Sequence, residues 1–126
     1  MNIFAIGDVH GCYHTFKALV EKHWNPENEF LVQVGDLINK GKSSGKAYLY
    51  AKQLQKEYPY QVFFLKGNHE QRFIELYQHA GKDKTIDACK RDFVKREVNI
   101  KKAVEWMKAL PLKWETPNVL ITHAGI

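Results

Sequence analysis

The sequence predicts an α/β fold in which a mostly parallel central sheet is flanked by helices. Four short apolar runs, rich in β-branched and aromatic residues, have the length and composition of buried strands: residues 3–6, 30–34, 62–65 and 119–121. Segments with helical periodicity separate these runs, so strands and helices alternate along the chain. With 126 residues, 44% of them hydrophobic, the chain is long enough to bury one core and has the composition of a folded protein.

Two helices are expected between the first three strands, because apolar residues there recur at the i, i+3, i+4, i+7 spacing of an amphipathic helix. The repeating residues are Phe16, Leu19, Val20 and His23 in the first helix and Ala47, Tyr50, Ala51 and Leu54 in the second. Ser43 or Ser44 can cap the second helix, since a hydroxyl oxygen accepts a hydrogen bond from the N–H groups of a first turn.

Three further helices and a hairpin are expected after the strand at residues 62–65. The periodic residues are Phe73, Leu76, Tyr77 and Ala80 in the third helix, Ile86, Cys89 and Phe93 in the fourth, and Ile100, Ala103, Val104, Met107 and Leu110 in the fifth. Gly81 follows the third helix, where a helix end favours a residue that tolerates positive φ, and Pro111 ends the fifth. Residues 112–115 and the run from Val119 indicate two strands joined by a turn at 116–118.

The charge balance and the apolar patterning restrict the class of partner and the location. Nineteen Lys and Arg against fourteen Asp and Glu leave a net charge of +5, which favours anionic, phosphate-bearing ligands. The sequence has neither the basic start of a signal peptide nor an apolar stretch of about 18 residues, so we expect a cytoplasmic protein without a membrane contact. Its two cysteines are too few for a disulfide framework.

Small polar clusters follow each of the four apolar runs, at residues 7–11, 35–41, 67–70 and 122–125. In an open α/β sheet the carboxyl ends of the strands form the ligand-binding edge, so the four clusters are expected to converge. Their candidate ligands are Asp8, His10, Asp36, Asn68 and His123. Carboxylates, imidazoles and an amide oxygen suit manganese, iron or zinc, and a carboxylate shared by two ions is typical of centres that catalyse phosphoryl displacement.

The clusters Gly-Asp-Val-His-Gly at 7–11, Gly-Asp at 35–36 and Gly-Asn-His-Glu at 67–70 resemble the signature of the calcineurin-like metallophosphoesterases. Within that family the chain is most similar to the phosphoprotein-phosphatase branch, which includes bacterial and phage serine/threonine phosphatases and symmetrical diadenosine tetraphosphatases. The resemblance spans the whole chain. It implies that residues 1–126 form a single, partial domain, corresponding to the N-terminal half of the family's α/β sandwich and truncated after the His-Ala-Gly motif at 123–125.

The resemblance also implies a role for each candidate residue. Asp8 and His10 would bind the first metal ion, Asp36 would bridge both ions, and Asn68 and His123 would bind the second. His69 would act as the general acid while a metal-bridging hydroxide attacks phosphorus directly. Two divalent ions are implied, manganese first, with iron or zinc as the other candidates.

Two residues and one segment depart from the family pattern. The second motif of the family usually ends in Asp-Arg-Gly, whereas this chain has Asn39 and Lys40. Asn39 can still accept a hydrogen bond from the catalytic His69 but cannot stabilise an imidazolium by charge, and Lys40 retains a positive charge for substrate phosphate without the bidentate geometry of Arg. A second sheet and a further His ligand, which follow the His-Ala-Gly motif in the family, are absent from the 126 residues, so we expect a weakened second metal site.

These observations favour a dinuclear metal-dependent phosphatase that hydrolyses phosphomonoesters, with a phosphorylated serine/threonine protein or a dinucleoside polyphosphate as its substrate. A phosphodiesterase or nuclease of the same superfamily is one alternative, and a non-catalytic metal- or phosphate-binding relative is the other. The sequence contains no recognised nucleic-acid-binding motif, so we do not expect a nucleic-acid partner. The sequence leaves the oligomeric state open.

Overall fold

A computed structural model of the chain describes residues 1–79 and 81–123. The elements in chain order are β1 (Asn2–Ile6), α1 (Tyr13–His23), β2 (Glu29–Gln33), α2 (Ser44–Glu57), β3 (Val62–Phe64), α3 (Asn68–His79), α4 (Lys84–Lys95), α5 (Ile100–Ala109), β4 (Lys113–Thr116) and β5 (Val119–Thr122). This order confirms the α/β class. The described residues do not include Ala80, which was expected in the third helix. They also do not include Ala124, Gly125 and Ile126, which were expected after the last strand.

The parallel sheet has three strands in the order β1-β2-β3. Its centre is β2, where Leu31 pairs with Phe4 on one side and with Val62 on the other. The last three residues of β2 are fully buried, and Ile6 of β1 and Phe64 of β3 are buried as well, whereas Ala5 of β1 is exposed. The sheet therefore has one interior strand and two edge strands within the described chain.

The two faces of the sheet contact different elements, since alternate residues of a strand point to opposite sides. Leu31 and Phe64 face the helices, and Phe64 lies edge-on to Phe16 of α1 with 6.1 Å between ring centroids. On the other face Phe30 and Phe63 contact Trp114 of β4, at centroid distances of 5.4 and 5.7 Å. The β4–β5 hairpin is thus packed on the sheet through one aromatic side chain.

The predicted pair of strands joined by a turn is confirmed as the β4–β5 hairpin, but the expectation that the run at residues 119–121 is a central strand of the parallel sheet is wrong. Within the described residues β5 pairs antiparallel with β4 in a separate two-stranded sheet, with Trp114 opposite Ile121. The cause is the two-residue connection at 117–118, because so short a turn reverses the chain and allows only antiparallel pairing. Val119 and Leu120 are exposed rather than buried.

At two helix ends the contacts in the structure differ from the caps that the sequence predicts. Ser43 occupies the N-cap of α2, yet neither it nor Ser44 caps the helix; the first-turn N–H of Gly45 instead donates to Oδ2 of Asp92 at 2.7 Å. A Cβ at Gly81 would collide with the side chain of Leu76 on the preceding helix, so this position favours a residue without a side chain. At the start of α2 a contact from a neighbouring helix, rather than local capping, satisfies the first turn.

The longest described helix, α2, has 14 residues, whereas a membrane span needs about 20. None of the helices in residues 1–79 and 81–123 is long and apolar enough to cross a membrane.

Candidate metal centre

The loops that follow β1 and β2 are joined to each other by backbone hydrogen bonds. The N–H of His10 donates to the carbonyl of Asp36 at 2.8 Å, and the N–H of Gly11 donates to the carbonyl of Leu37 at 2.8 Å. Because the two strands are parallel neighbours, their carboxyl ends bring these loops to the same edge of the sheet. The bonds fix the position of His10 relative to Asp36.

Four residues of the candidate site have left-handed backbone conformations with positive φ, which residues other than glycine rarely adopt. Their φ values are +48° for His10, +53° for Asp36, +71° for Asn39 and +69° for Lys40; in the described chain one further non-glycine residue, Glu97, has positive φ. Such conformations cost of order 1–3 kcal/mol each and persist where the surrounding contacts impose them. Their concentration in two loops marks these loops as functional.

Glu70, on the first turn of α3, joins that helix to the loop that holds Asp36. Its carboxylate is fully buried and accepts four backbone hydrogen bonds: from Gly67 and Asp36 at 2.8 Å, from Leu37 at 3.0 Å and from Ile38 at 3.4 Å. Burial raises the pKa of Glu70 to about 7, against the opposing effect of the backbone N–H groups. One of the four hydrogen bonds, from Gly67, lies at the N-terminus of α3, whereas the other three come from the β2–α2 loop.

Two groups of potential metal ligands share one carboxylate, that of Asp36. His10 and His69 form one group with it, Asp8 and His123 form the other, and within each group the ligand atoms lie within 4.8 Å of one another. Nε2 of His123 lies 3.1 Å from Oδ2 of Asp36, and Nε2 of His10 lies 3.4 Å from Oδ2 of Asp8. The structure therefore brings four of the five predicted ligands together. Asp8 lies close to both His10 and His123, and His10 also lies in a group with His69.

The antiparallel hairpin, rather than the parallel sheet, positions His123, which directly follows β5. The ring is buried, and Nδ1 lies 2.9 Å from the carbonyl oxygen of Val34 at the end of β2. When Nδ1–H donates to that carbonyl, the lone pair of Nε2 faces Asp36 and is free to bind a cation. His123 therefore has the hydrogen-bonding arrangement typical of a histidine ligand.

His69 lies against the site on the first turn of α3. Its backbone N–H donates to Oδ1 of Asp36 at 2.9 Å, and its Nδ1 is 3.2 Å from Nδ2 of the fully buried Asn39. Burial lowers the pKa of His69 below 6.5; the carboxylate of Asp36 opposes this effect, while His10 and Lys40 reinforce it. Asn39 and His69 are in contact as predicted, but the hydrogen bond runs in the opposite direction: Nδ2 of Asn39 donates to Nδ1 of His69 rather than the amide oxygen accepting from the ring. Lys40 is close enough to influence the imidazole.

A cleft of about 220 Å³ opens beside His69, between the first turns of α3 and α4. We refer to it as the α3–α4 cleft; its lining residues are Asn39, Asn68, His69, Arg72, Asp83, Thr85 and Ile86. The exposed side chain of Asn68, the fifth predicted ligand, lies in this cleft. Nε of Arg72 is 3.5 Å from Oδ2 of Asp83, whose Oδ1 caps α4 by accepting hydrogen bonds from Thr85 and Ile86.

The residues present fit a pair of divalent cations. Carboxylate and imidazole ligands suit the borderline ions manganese, iron and zinc. Among the described residues His10 has a buried ring nitrogen, Nδ1, with no hydrogen-bond partner, and such an atom costs free energy unless something binds it. Asp36 lies in both ligand groups and is therefore placed to contact both ions.

Sequence motifs located the candidate ligands, but they did not predict how Glu70, Arg72 and Asp83 are used. Nothing in the local sequence shows that the carboxylate of Glu70 reaches the β2–α2 loop, more than thirty residues earlier in the chain. Its position directly after His69, before an apolar helical repeat, was the available signal. Arg72 and Asp83 lie on different helices, so only the fold shows that they pair.

Comparisons with known proteins agree on the family of this fold. A model of the calcineurin-like phosphoesterases matches residues 1–126. The symmetrical bis(5'-nucleosyl)-tetraphosphatase of Erwinia tasmaniensis is 30% identical over 129 aligned positions, covering 100% of this chain and 45% of the relative. The enzyme of the same name from Photorhabdus laumondii is 31% identical, with the same coverage. The chain thus spans a little less than half the length of these relatives.

Solved structures share the fold at lower sequence identity. A protein serine/threonine phosphatase from Saccharomyces cerevisiae, similar to human phosphatase PP5, superposes with a TM-score of 0.75 at 24% identity, over 98% of this chain and 38% of that one. A metallophosphoesterase from Sphaerobacter thermophilus superposes with a TM-score of 0.61 at 16% identity, over 95% of this chain and 45% of that one. Both matches confirm the architecture of the parallel sheet and its helices.

Proposed function

The chain belongs to the calcineurin-like phosphoesterases, and from this premise we propose that it is a divalent-metal-dependent hydrolase of dinucleoside polyphosphates. The observation that carries the proposal is the position of Asp36, which lies in both groups of metal ligands and also accepts a hydrogen bond from the backbone of His69. One carboxylate thereby sets the distance between the metal ligands and the candidate acid. We further propose that residues 1–126 form a single domain.

In this proposal Asp8, His10, Asp36, Asn68 and His123 hold two divalent cations. Such cations would lower the pKa of a bound water molecule and neutralise charge on the phosphoryl oxygens. The protein's own contribution is geometric, because Glu70 holds the N–H groups around Asp36 and Val34 orients His123. Manganese as the ion and the cytoplasm as the location stay predictions.

His69 supplies the proton that the leaving oxygen takes when its bond to phosphorus breaks. Nδ1 faces the side-chain amide of Asn39, so Nε2 is the ring nitrogen that can hold this proton towards a substrate. Asn39 orients the ring without adding a negative charge, and Lys40 adds a positive one nearby. Both effects disfavour the imidazolium and so make His69 a stronger acid in its protonated form.

The preference for a dinucleoside polyphosphate over a phosphoprotein rests on the names of the relatives that match in sequence. Two relatives at 30% and 31% identity are named as symmetrical tetraphosphatases, whereas the phosphoprotein phosphatase is a match of fold at 24% identity. The substitution of Asn39 for the usual Asp of protein phosphatases points the same way, since some tetraphosphatase-like members also lack that carboxylate.

The test is hydrolysis of diadenosine tetraphosphate and of p-nitrophenyl phosphate by the chain in the presence of Mn²⁺, with a chelator as control. Asp36→Asn should abolish both activities and Mn²⁺ binding, because the shared ligand loses its charge. His69→Asn should lower turnover by about 100-fold or more while Mn²⁺ still binds, as expected for a lost general acid. Glu27→Gln, at an exposed carboxylate just before β2 and so at the end of the strand opposite to the site, is the matched control.

Turnover that survives in Asp36→Asn would contradict the shared-ligand arrangement. Loss of Mn²⁺ binding in His69→Asn would instead make His69 a ligand of the group it forms with His10 and Asp36. A folded chain that binds Mn²⁺ but hydrolyses neither substrate would favour a non-catalytic, metal-binding relative.

A further inference from the structure

The α3–α4 cleft lies on the side of the candidate site where a leaving group must depart. His69 lies both in the cleft and in a metal-ligand group, and Asn68, a proposed ligand, lies beside it in the cleft; in the described chain none of Asp8, His10, Asp36 and His123 lines the cleft. In an in-line displacement the leaving oxygen departs next to the acid that protonates it. If His69 is that acid, as the proposed function holds, the leaving group occupies this cleft.

Arg72 gives the cleft a preference for a particular chemical class. It follows His69 by three positions on α3, so the two side chains share one face of the helix. A guanidinium is a planar fork that binds phosphate oxygens in pairs. The contact with Asp83 is made through Nε, so the terminal amino groups of Arg72 can still reach a ligand.

The other cleft residues agree with a phosphate-bearing occupant of limited size. Asn68 and Thr85 provide polar side chains, and Ile86 provides an apolar floor. Pockets for whole drug-sized ligands measure roughly 300–1,000 Å³. The cleft, at about 220 Å³, has room for the phosphates of a nucleotide but not for its base.

We infer that the α3–α4 cleft is the leaving-group subsite, and that Arg72 selects a leaving group carrying its own phosphates, such as a nucleoside diphosphate. The reaction is a hydrolysis without redox change. Water adds to phosphorus and releases one proton to solvent, the bond to the bridging oxygen breaks, and its electron pair stays on that oxygen, which takes the proton of His69. His69 then regains a proton from solvent. A serine or threonine residue, as a leaving group, has no phosphate for Arg72 to bind.

Asp83 limits this preference in the free protein. Its carboxylate pairs with Arg72 and would repel a phosphate in the same cleft. Asp83→Asn removes the charge but keeps the cap of α4, because Asn is as good an N-cap residue as Asp. The variants Arg72→Ala and Asp83→Asn are therefore expected to change substrate preference in opposite directions.

The experiment measures the ratio of kcat/KM for diadenosine tetraphosphate to that for p-nitrophenyl phosphate, whose leaving group has no phosphate. Arg72→Ala should lower the ratio about tenfold or more, as expected for a lost hydrogen bond to a charged group, and Arg72→Lys should give an intermediate value. Asp83→Asn should raise the ratio by about threefold, in the range of an exposed ion pair. Arg91→Ala, at an exposed position on α4, is the charge-matched control and should not change it.

A second measurement separates the failure of this inference from the failure of the proposed function. ADP is titrated calorimetrically into the wild type and Arg72→Ala with a chelator present, so neither metal nor turnover is needed. Binding to the wild type that weakens about tenfold in Arg72→Ala supports the subsite, even if the chain hydrolyses neither substrate. Equal binding to both proteins, no binding to the wild type, or an unchanged kinetic ratio in Arg72→Ala would overturn it.

Discussion

The environment of the His69 imidazole predicts how this group titrates. Burial favours the neutral ring and lowers its pKa below 6.5, and the positive charge of Lys40 contributes in the same direction. In the chelator-treated chain, the NMR titration of His69 should have its midpoint below 6.5. Lys40→Gln should move the midpoint upward, and His69→Gln assigns the signal.

The same shift links His69 to stability. The unfolded chain takes up the proton at a higher pH than the folded chain, so the contribution of His69 to stability is fully present above pH 6.5. It is lost as the pH falls from there through the folded pKa. A midpoint at or above 6.5 would mean that the attraction of Asp36 for the imidazolium outweighs burial.

Single residues also show what the sequence could and could not reveal about the site. The motifs located Asp8, His10, Asp36 and His123, because each follows a predicted strand and parallel strands end at a common edge. The role of Glu70 could not be predicted, since its four donors belong mostly to another loop. Reading a contact of that kind requires the tertiary structure.

The β3–α3 junction depends on a residue without a side chain. A Cβ at Gly67 would collide with the backbone and carboxylate of Asp36, whereas a Cβ at Gly7 would meet nothing within 4 Å. Gly67→Ala should therefore displace Asp36, lower Mn²⁺ affinity at least about tenfold and destabilise the fold by about 2 kcal/mol. Gly7→Ala is the matched control, and calorimetric Mn²⁺ titration with thermal melting measures both effects. Equal Mn²⁺ affinity in the two variants would show that the loop can shift without cost.

The β4–β5 hairpin connects sheet packing to the metal centre. Trp114 holds the hairpin against Phe30 and Phe63, and β5 leads directly into His123. Trp114→Ala should cost about 2 kcal/mol, less than a fully buried Trp would, and should also weaken Mn²⁺ binding. Trp114→Phe keeps an aromatic ring and should restore most of both. A variant that loses stability but binds Mn²⁺ as tightly as the wild type would separate the hairpin from the site.

At the scale of elements, the apolar patterning of the sequence was sufficient to predict the helices and the places of β1 to β3 in the sheet, but not the place of β5. The run at 119–121 has the composition of an interior strand, and only its short connection to residues 113–116 shows that it must pair antiparallel. Ser43 was located correctly at the start of α2, but its side chain does not cap the helix, since Asp92 of α4 binds the first turn instead. Local signals identify an element more reliably than they identify its partners.

At the scale of the whole molecule, metal ions should stabilise the fold, because the folded chain gathers ligands that are far apart when it unfolds. A cation at about 100 times its dissociation constant adds about 2.7 kcal/mol, which corresponds to roughly 10 °C in Tm for a chain of this size. We expect Mn²⁺ to raise Tm by that order and a chelator to reverse it. Asp36→Asn should melt at the same temperature with and without Mn²⁺. A shift of equal size in that variant would place the stabilising ion elsewhere.

The position of His123 at the end of the hairpin affects the order in which the ligands of the site come together during synthesis. The hydrogen-bonded pair of Val34 and His123 is separated by 89 positions, whereas Asp8, Asp36 and His69 come from successive strand–helix units. Closing so long a loop is slow, and its entropy is recovered only when the hairpin docks. On the ribosome, the shared carboxylate and the two earlier histidines can take their places before His123 emerges. Tight binding of a cation therefore indicates that the chain has folded as far as residue 123.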